Sequence, residues 1–152
     1  DSGARRNMIF TDLGIMTTTD ASGPALTRTM LTEMTQGRPD VVVFELGDGI
    51  LGAYGVEAIL AEPDIRQALT AVVLSANDPV AAWGGVKLLR ERFQIEPCAV
   101  TGPATDNAVG VNIIQDQMGV RAVNAMTAGA MLGDHLIESL GLGAKLAQAA
   151  SE

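Results

Sequence analysis

Cysteine, lysine and aromatic residues are all scarce in this sequence. Cys98 is the only cysteine, so no internal disulfide can form, and we expect a cytoplasmic protein. Lysine occurs only as Lys87 and Lys145, and the formal net charge is -8. Nucleic acid and anionic membrane surfaces attract clustered cations, so we expect neither as a partner. Aromatic residues make up 3% of the chain, so the core must be aliphatic, which favours layered α/β packing.

Short β-branched runs alternate with longer segments of helical period along the chain. Apolar runs bounded by turn residues predict strands at 7–13, 41–46, 71–75, 98–101 and 121–125. Apolar residues at helical spacing predict helices near 24–37, 56–69, 80–93, 108–118 and 131–140. Pro63 interrupts the second of these helices, and Gly141 should stop the last one. The tail after Gly141 either extends that helix or frays.

This order of strands and helices defines the expected fold class. Short connections between alternating elements predict parallel strands joined by right-handed crossovers. We therefore expect an α/β fold with a doubly wound, mostly parallel open sheet of about five strands and helices on both faces, a Rossmann-like three-layer arrangement. A length of 152 residues suits one domain. We expect residues 1–152 to form a single α/β domain, either complete or a fragment or C-terminal domain of a longer protein.

Small polar and acidic residues follow nearly every predicted strand. Ligands of open α/β sheets bind outside the carboxyl ends of the strands, so these residues mark the expected ligand-binding edge. The set includes Asp12, Glu45, Asp48, Asn77, Asp78, Asp106 and Asn107. Asp and Asn are also preferred N-caps of helices, so helix capping is the competing interpretation for most of them. Glu45 is different, because neither strand propensity nor capping favours a glutamate at that position.

Three glycines follow the second predicted strand, and their spacing satisfies the G-x-G-x-x-G pattern. Gly47, Gly49 and Gly52 would form a turn that lets the backbone approach a pyrophosphate, which makes them candidates for cofactor binding. The pattern indicates NAD(P) as one alternative. An acidic residue about 20 positions further on should hold the ribose, but the next strand ends in Ser75 and Asn77 instead.

The stretch VVVFELGDGILG and the later AVVLSANDP resemble the second half of a P-loop NTPase of the dethiobiotin synthetase and cobyrinic acid amide synthetase type. Proteins of that group carry a strand that ends in Glu-Gly with further glycines, whereas Leu46 is inserted here. The phosphate-gripping motif G-x-x-x-x-G-K-[ST] is absent from this chain. The resemblance implies that Glu45 assists Mg²⁺ or the attacking group, that Asp12 occupies an upstream acidic position, and that residues 75–79 lie near the nucleotide base.

We therefore expect a domain that binds a nucleotide or another phosphorylated small molecule, as part of a P-loop-like ATP-dependent ligase or synthetase. Glu45 and Asp48 are the predicted catalytic residues, and Asp12 and Glu45 are the predicted ligands of Mg²⁺ beside ATP. The residues expected to orient the ligand are Asn77, Asp78, Asp106 and Asn107. Two alternatives are an NAD(P)-binding Rossmann-type domain and a non-catalytic assembly subunit. The chain is expected to form a homo-oligomer or to belong to a larger chain.

Overall fold

In the computed structural model, which describes residues 3–143, the chain forms two compact units, Asp1–Ala68 and Leu69–Glu152. The first unit contains the helices α1 (Gly23–Thr35), α2 (Val56–Ala61) and α3 (Pro63–Ala68). The second contains β1 (Val73–Ser75), α4 (Pro79–Phe93), β2 (Ala99–Thr101), α5 (Ala108–Met118), β3 (Arg121–Ala122) and α6 (Gly129–Ser139). One domain can hold two such units, so the single-domain organisation stays a prediction. The tail beyond residue 143 lies outside the described residues.

The second unit is built on a parallel sheet of three strands in the order β1-β2-β3. Val73 pairs with Ala99, and Val100 pairs with Ala122. The predicted α/β class and the parallel open sheet are confirmed in this smaller form. The described residues hold three strands, whereas the sequence predicts about five.

Helices cover both faces of this sheet, as predicted. Val100 packs with Val86 of α4 and Ile114 of α5 on one face. Its neighbour Ala99 points to the opposite face and packs with Leu132 of α6. The crossovers through α4 and α5 advance in the same direction across the sheet, so the right-handed rule places both helices on the same face.

Side-chain caps set the starts of α4 and α5. Asp78 Oδ1 accepts hydrogen bonds from two backbone N–H groups in the first turn of α4, both at 2.8 Å. Asn107 Oδ1 accepts a hydrogen bond from the N–H of Gly110 at 3.0 Å and caps α5. These caps satisfy backbone donors that have no partner inside the helix. The predicted helices 80–93 and 108–118 are therefore confirmed to within one residue.

Proline also acts as predicted in the first unit. Pro63 opens α3 directly after α2 ends at Ala61, because a proline has no N–H for the preceding helix and favours the first turn of the next. The amphipathic helix predicted near 24–37 is α1, which carries Pro24 in its first turn.

The first predicted strand, at 7–13, is wrong. Phe10–Leu13 forms a single turn of 3-10 helix instead. Asp12 Oδ2 accepts a hydrogen bond from the N–H of Ile9 at 3.0 Å, and Gly14 ends the turn with a left-handed φ of 75°. A short acidic side chain thus offers the backbone a local partner, which competes with strand pairing.

The second predicted strand, at 41–46, has the alternating burial pattern of a strand but does not pair with another strand. Its side chains alternate between exposed and half-buried positions, and Val43 is 89% exposed. This alternation is typical of an extended chain with one covered face. Its backbone makes no backbone-to-backbone hydrogen bond within residues 3–143, so the segment is not a strand of any sheet. We refer to residues 41–46 as the unpaired segment.

Gly102, in the turn after β2, is required by its backbone conformation and its surroundings. Its φ and ψ are 86° and -171°, a combination that is open to glycine almost alone. A Cβ atom at this position would lie 2.7 Å from Ser75 Oγ and 2.8 Å from the carbonyl oxygen of Ala76. The loops that follow β1 and β2 can therefore touch only because position 102 has no side chain.

We expect Gly102→Ala to lower the free energy of unfolding by at least about 1 kcal/mol, because it combines backbone strain with a steric overlap. Gly84→Ala is the matched control, since a Cβ at this helical position meets no atom within 4 Å. The control should raise the free energy of unfolding by up to about 1 kcal/mol through helix propensity. Urea unfolding followed by circular dichroism measures both. Equal stability of the two variants would contradict the close packing.

A fork of hydrogen bonds from Arg28 connects α1 to the start of α3. Arg28 Nε lies 2.7 Å from Asp64 Oδ2, and Arg28 Nη2 lies 2.8 Å from Asp64 Oδ1. The same Nη2 donates to Glu62 Oε2 at 2.6 Å. The hydrogen bonds from Arg28 to Asp64 stabilise the charged carboxylate and lower the pKa of Asp64 to about 2.

The stability of the protein should depend on this carboxylate at acid pH. A lowered pKa in the folded state contributes stability above the unfolded-state pKa of about 3.9. That contribution is lost as the pH falls to about 2, the folded-state value of Asp64. We expect the urea midpoint of the wild type to fall more steeply than that of Asp64→Asn between about pH 4 and pH 2. The pair is exposed, so salt should reduce the difference. Parallel pH profiles would contradict this role.

Candidate functional site

The candidate functional site is a groove in the first unit, with a cavity volume of about 100 Å³. One wall comes from α1 through Leu26, Thr27 and Met30. The floor includes Val56 and Ile59 of α2, both of which are buried. Part of the unpaired segment and the glycine turn after it complete the lining.

Three of the predicted site residues lie together at this groove. Glu45, Gly47 and Asp48 all line it, and both carboxylates are solvent-exposed. A Cβ atom on Gly47 would lie 3.6 Å from Glu45 Oε1, so the carboxylate of Glu45 lies close to the glycine backbone. Two acidic side chains and a bare stretch of backbone therefore face the same small space.

Gly49 and Gly52, also predicted to bind a cofactor, shape the turn that carries Asp48. Gly49 has a left-handed φ of 78°. A Cβ atom on Gly52 would lie 2.9 Å from the carbonyl oxygen of Asp48, so only glycine fits there without a shift. In a dinucleotide-binding turn the glycines lead directly from a strand into a helix. Here they follow the unpaired segment, and α2 begins only at Val56.

The predicted metal ligands are Asp12 and Glu45. Asp12 uses one carboxylate oxygen to hold the 3-10 turn and is not among the residues that line the groove. Within residues 3–143, no group of three or more His, Cys, Asp or Glu side chains is placed to hold a metal ion. The groove itself offers the two carboxylates of Glu45 and Asp48. Proteins commonly hold Mg²⁺ with one or two carboxylates while water and substrate phosphates fill the other positions, so this pair fits a metal that arrives with its ligand.

Aromatic side chains are concentrated at the groove. The chain contains three phenylalanines, one tyrosine and one tryptophan, and Phe10, Phe44 and Tyr54 all line this space. Phe10 is 37% exposed and Tyr54 is 44% exposed, although each is a large ring that packing would normally cover. Both phenylalanines fall in predicted strands, at 7–13 and 41–46, so their grouping with Tyr54 is not predicted from the sequence. The scarcity of rings in the chain is the signal that makes their grouping informative.

Thr27 is the buried polar residue of the groove. It is 2% exposed, and its hydroxyl makes no hydrogen bond within residues 3–143. No fully buried side-chain oxygen or nitrogen in that part of the chain lacks a partner, so the Thr27 hydroxyl must retain access to open space. The groove that Thr27 lines provides this space.

Close contacts fix the walls of the groove before any ligand is present. Thr18 Oγ1 donates a hydrogen bond to the carbonyl oxygen of Tyr54 at 2.8 Å. A Cβ atom on Gly55 would overlap the backbone of Thr19, and one on Gly23 would lie 3.2 Å from the side chain of Ile59. Small-molecule sites are usually preformed in this way.

The remaining predicted residues lie at the carboxyl edge of the sheet in the second unit. Asp78 and Asn107 are helix caps, which supports the capping interpretation for both. Asp106 Oδ1 accepts a hydrogen bond from Asn124 Nδ2 at 2.8 Å, which ties the loops after β2 and β3 together. Asn77 is exposed, and its side chain makes no hydrogen bond within the described residues.

Trp83 occupies an exposed position on α4. It is 51% exposed, and the ammonium of Lys87 one turn later lies 5.1 Å from the centroid of its ring. This is a cation–π contact between neighbours on one helix, and it covers part of the ring.

Cys98 and His135 both take part in hydrogen bonds between packed elements of the second unit. His135 Nε2 lies 2.8 Å from the carbonyl oxygen of Cys98, which joins α6 to the start of β2. The Cys98 thiol donates to the carbonyl oxygen of Val72 at 3.3 Å. Burial raises the pKa of this thiol, so it is a poor nucleophile.

Comparison with known proteins finds no matching protein-family model, no matching curated protein and no matching solved structure. No helix within residues 3–143 has both the length and the apolar character that a membrane crossing demands. Function is therefore inferred from the residues of the groove.

Replacing Asp78 should distinguish capping from ligand binding at the sheet edge. We expect Asp78→Ala to lower the free energy of unfolding by about 0.5–2 kcal/mol, because two N–H groups of α4 lose their acceptor. Asn77→Ala is the control next to it and should leave stability within about 0.5 kcal/mol of the wild type. Chemical unfolding measures both variants. A similar loss in the two would show that the cap does not determine the effect.

Proposed function

We propose that this chain binds a nucleotide or another phosphorylated small molecule in the groove of the first unit. Glu45 and Asp48 hold the phosphates indirectly, through Mg²⁺ that arrives with the ligand. The observation that carries this proposal is the meeting of both carboxylates, the backbone of Gly47 and an apolar wall at one groove. Apolar surface with a few placed polar groups is the usual composition of a small-molecule site.

The charges at the groove explain why a metal is needed. Both charged side chains that line it are acidic, and the whole chain carries a formal net charge of -8. A free phosphate would be repelled by these carboxylates. Bound Mg²⁺ would neutralise charge on the phosphate oxygens and polarise them. Glu45 and Asp48 orient the metal, and Gly47 leaves room for the ligand to approach the backbone.

The size of the groove limits which part of the ligand it encloses. Sites that enclose a whole drug-sized ligand have volumes of roughly 300–1,000 Å³. The groove has a volume of about 100 Å³, so it encloses only one part of a nucleotide. The rest lies over the solvent-exposed edge formed by Glu45 and Asp48, which we call the lip. The two exposed carboxylates are on that lip, where phosphates can reach them from solvent.

The enzyme class that fits this arrangement best is an ATP-dependent ligase or synthetase, of which this chain would form a part. In such an enzyme, Glu45 and Asp48 are the residues that position the metal and the attacking group. The phosphate-gripping lysine of a P-loop is absent from the sequence. Positive charge at the phosphates therefore comes from Mg²⁺ or from a further polypeptide.

A non-catalytic assembly subunit is the second candidate. The observation in its favour is the exposure of two methionines in the second unit, Met126 at 93% and Met131 at 53%. Flexible methionine side chains suit adaptable protein interfaces. The NAD(P)-binding alternative rests on the glycine spacing and predicts ligand binding that needs no metal.

The carboxylate role is tested with Glu45→Gln and Asp48→Asn, which keep side-chain volume and remove charge. We expect each to weaken binding of Mg²⁺-ATP and of Mg²⁺-tripolyphosphate by about tenfold or more, because a charge-assisted metal contact is lost. Isothermal titration calorimetry measures both affinities. Asp40→Asn is the matched control, since it removes an exposed carboxylate near the same segment that does not line the groove.

Three results would contradict the proposal. Unchanged affinity in both groove variants would exclude the carboxylate role. An equal loss in Asp40→Asn would indicate a general charge effect instead of a site. Binding of NAD or NADP without Mg²⁺, together with no binding of Mg²⁺-ATP, would favour the dinucleotide alternative.

A further inference from the structure

We propose that the enclosed part of the groove binds a planar nitrogen heterocycle of the nucleobase class, hydrogen-bonded to the hydroxyl of Thr27 and packed against Phe10, Phe44 and Tyr54. This inference rests on the proposed function, because it assigns the ligand part that the groove encloses. It places the ring in the first unit. The sequence resemblance instead implies a base near residues 75–79.

The hydroxyl of Thr27 is the first observation behind the inference. A hydroxyl that has no protein partner and still reaches open space is available to a ligand, which can replace the water bound there. Thr27 is 2% exposed, its hydroxyl has no partner within residues 3–143, and the residue lines the groove. A ligand with a ring nitrogen or a ring carbonyl group would satisfy it.

The aromatic rings are the second, independent observation. Phe10, Phe44 and Tyr54 line the same space as Thr27, in a chain that has only five aromatic residues. Aromatic side chains bind nucleobases through their flat faces and edges, and this contact contributes about 1–3 kcal/mol per base in proteins that bind single-stranded nucleic acid. Two of the rings remain partly exposed, so their surfaces are open to a ligand.

The few polar side chains of the groove favour a heterocycle over a sugar or an acyl chain. A sugar carries several hydroxyl groups and needs several partners, but the Thr18 hydroxyl is already bonded to the Tyr54 carbonyl. That leaves the hydroxyls of Thr27 and Tyr54 as the polar side-chain groups of the lining besides the two carboxylates. An acyl chain would leave the Thr27 hydroxyl unsatisfied. A flat heterocycle has apolar faces and a few polar edge atoms, which matches the hydroxyls of Thr27 and Tyr54 beside three aromatic rings.

The test uses nucleosides, because they carry the ring without the phosphates. Adenosine, guanosine, cytidine and uridine are titrated without Mg²⁺ into the wild type, Thr27→Val and Thr32→Val. Valine keeps the branched shape of threonine and removes the hydroxyl. We expect at least one nucleoside to bind the wild type and to bind Thr27→Val about two- to tenfold more weakly, since one hydrogen bond is lost. Thr32 is exposed on the same helix, so Thr32→Val should bind as the wild type does.

Stability measurements keep this test interpretable. Thr27→Val should unfold at about the same temperature as the wild type, because valine keeps the branched shape and the removed hydroxyl has no protein partner within residues 3–143. If Thr27→Val does not fold, Phe44→Leu takes its place, since leucine keeps apolar bulk and removes the ring. Phe44→Leu should weaken nucleoside binding by about threefold or more through lost stacking.

Titration of Mg²⁺-tripolyphosphate separates this inference from the proposed function. That probe carries the phosphates without a ring, so Thr27→Val should bind it as tightly as the wild type does. Failure of all nucleosides to bind, or equal nucleoside affinity in the wild type and Thr27→Val, overturns the heterocycle assignment whatever tripolyphosphate does. Nucleoside binding without tripolyphosphate binding supports the heterocycle assignment and overturns the metal-phosphate role of Glu45 and Asp48.

Discussion

The pairing of backbone hydrogen bonds between parallel strands is the constraint on which the rest of this structure depends. A strand forms only where the backbone of a neighbouring strand donates and accepts hydrogen bonds along its edge. For parallel strands, a crossover connection must bring that neighbour alongside. β1, β2 and β3 pair through their backbone hydrogen bonds, and α4 and α5 are the crossovers between them. These pairings fix the strand order β1-β2-β3 of the second unit. The unpaired segment has an equally suitable sequence but no such neighbour within the described residues. Its backbone is consequently free to follow the groove and to present Glu45 at the lip.

This constraint explains how far the sequence predicts the fold. Helices depend on local signals, so Asp78 before Pro79 and the break at Pro63 place helix ends to within a residue or two. Strands depend on distant partners, so residues 7–13 and 41–46 have strand-like composition and still form no sheet. A local acidic side chain decided the first case, and the lack of a neighbouring strand decided the second. The α/β class is predicted correctly because the alternation of strands and helices in the second unit can be detected from local sequence patterns.

The candidate site follows the same division between local and distant information. Glu45 and Asp48 could be selected from the sequence because a carboxylate beside glycines conflicts with local propensity. Thr27 and Tyr54 could not, because each becomes distinctive only through residues brought next to it by folding. Asp78 and Asn107 show the opposite error, since polar residues after strands are often needed by the helices that follow. Residues that break a local rule were therefore better guides to the groove than residues that obey one.

The distribution of the rarest residues has a practical consequence for spectroscopy. The only tyrosine, Tyr54, belongs to the first unit and lines the groove, and the only tryptophan, Trp83, belongs to the second and is half exposed on α4. Each unit therefore carries its own intrinsic chromophore. Tryptophan emission reports the environment of α4 and is quenched by small solutes that reach an open ring, whereas tyrosine absorbance reports the groove. The unfolding of the two units can be followed separately in one sample without labels or added cysteines.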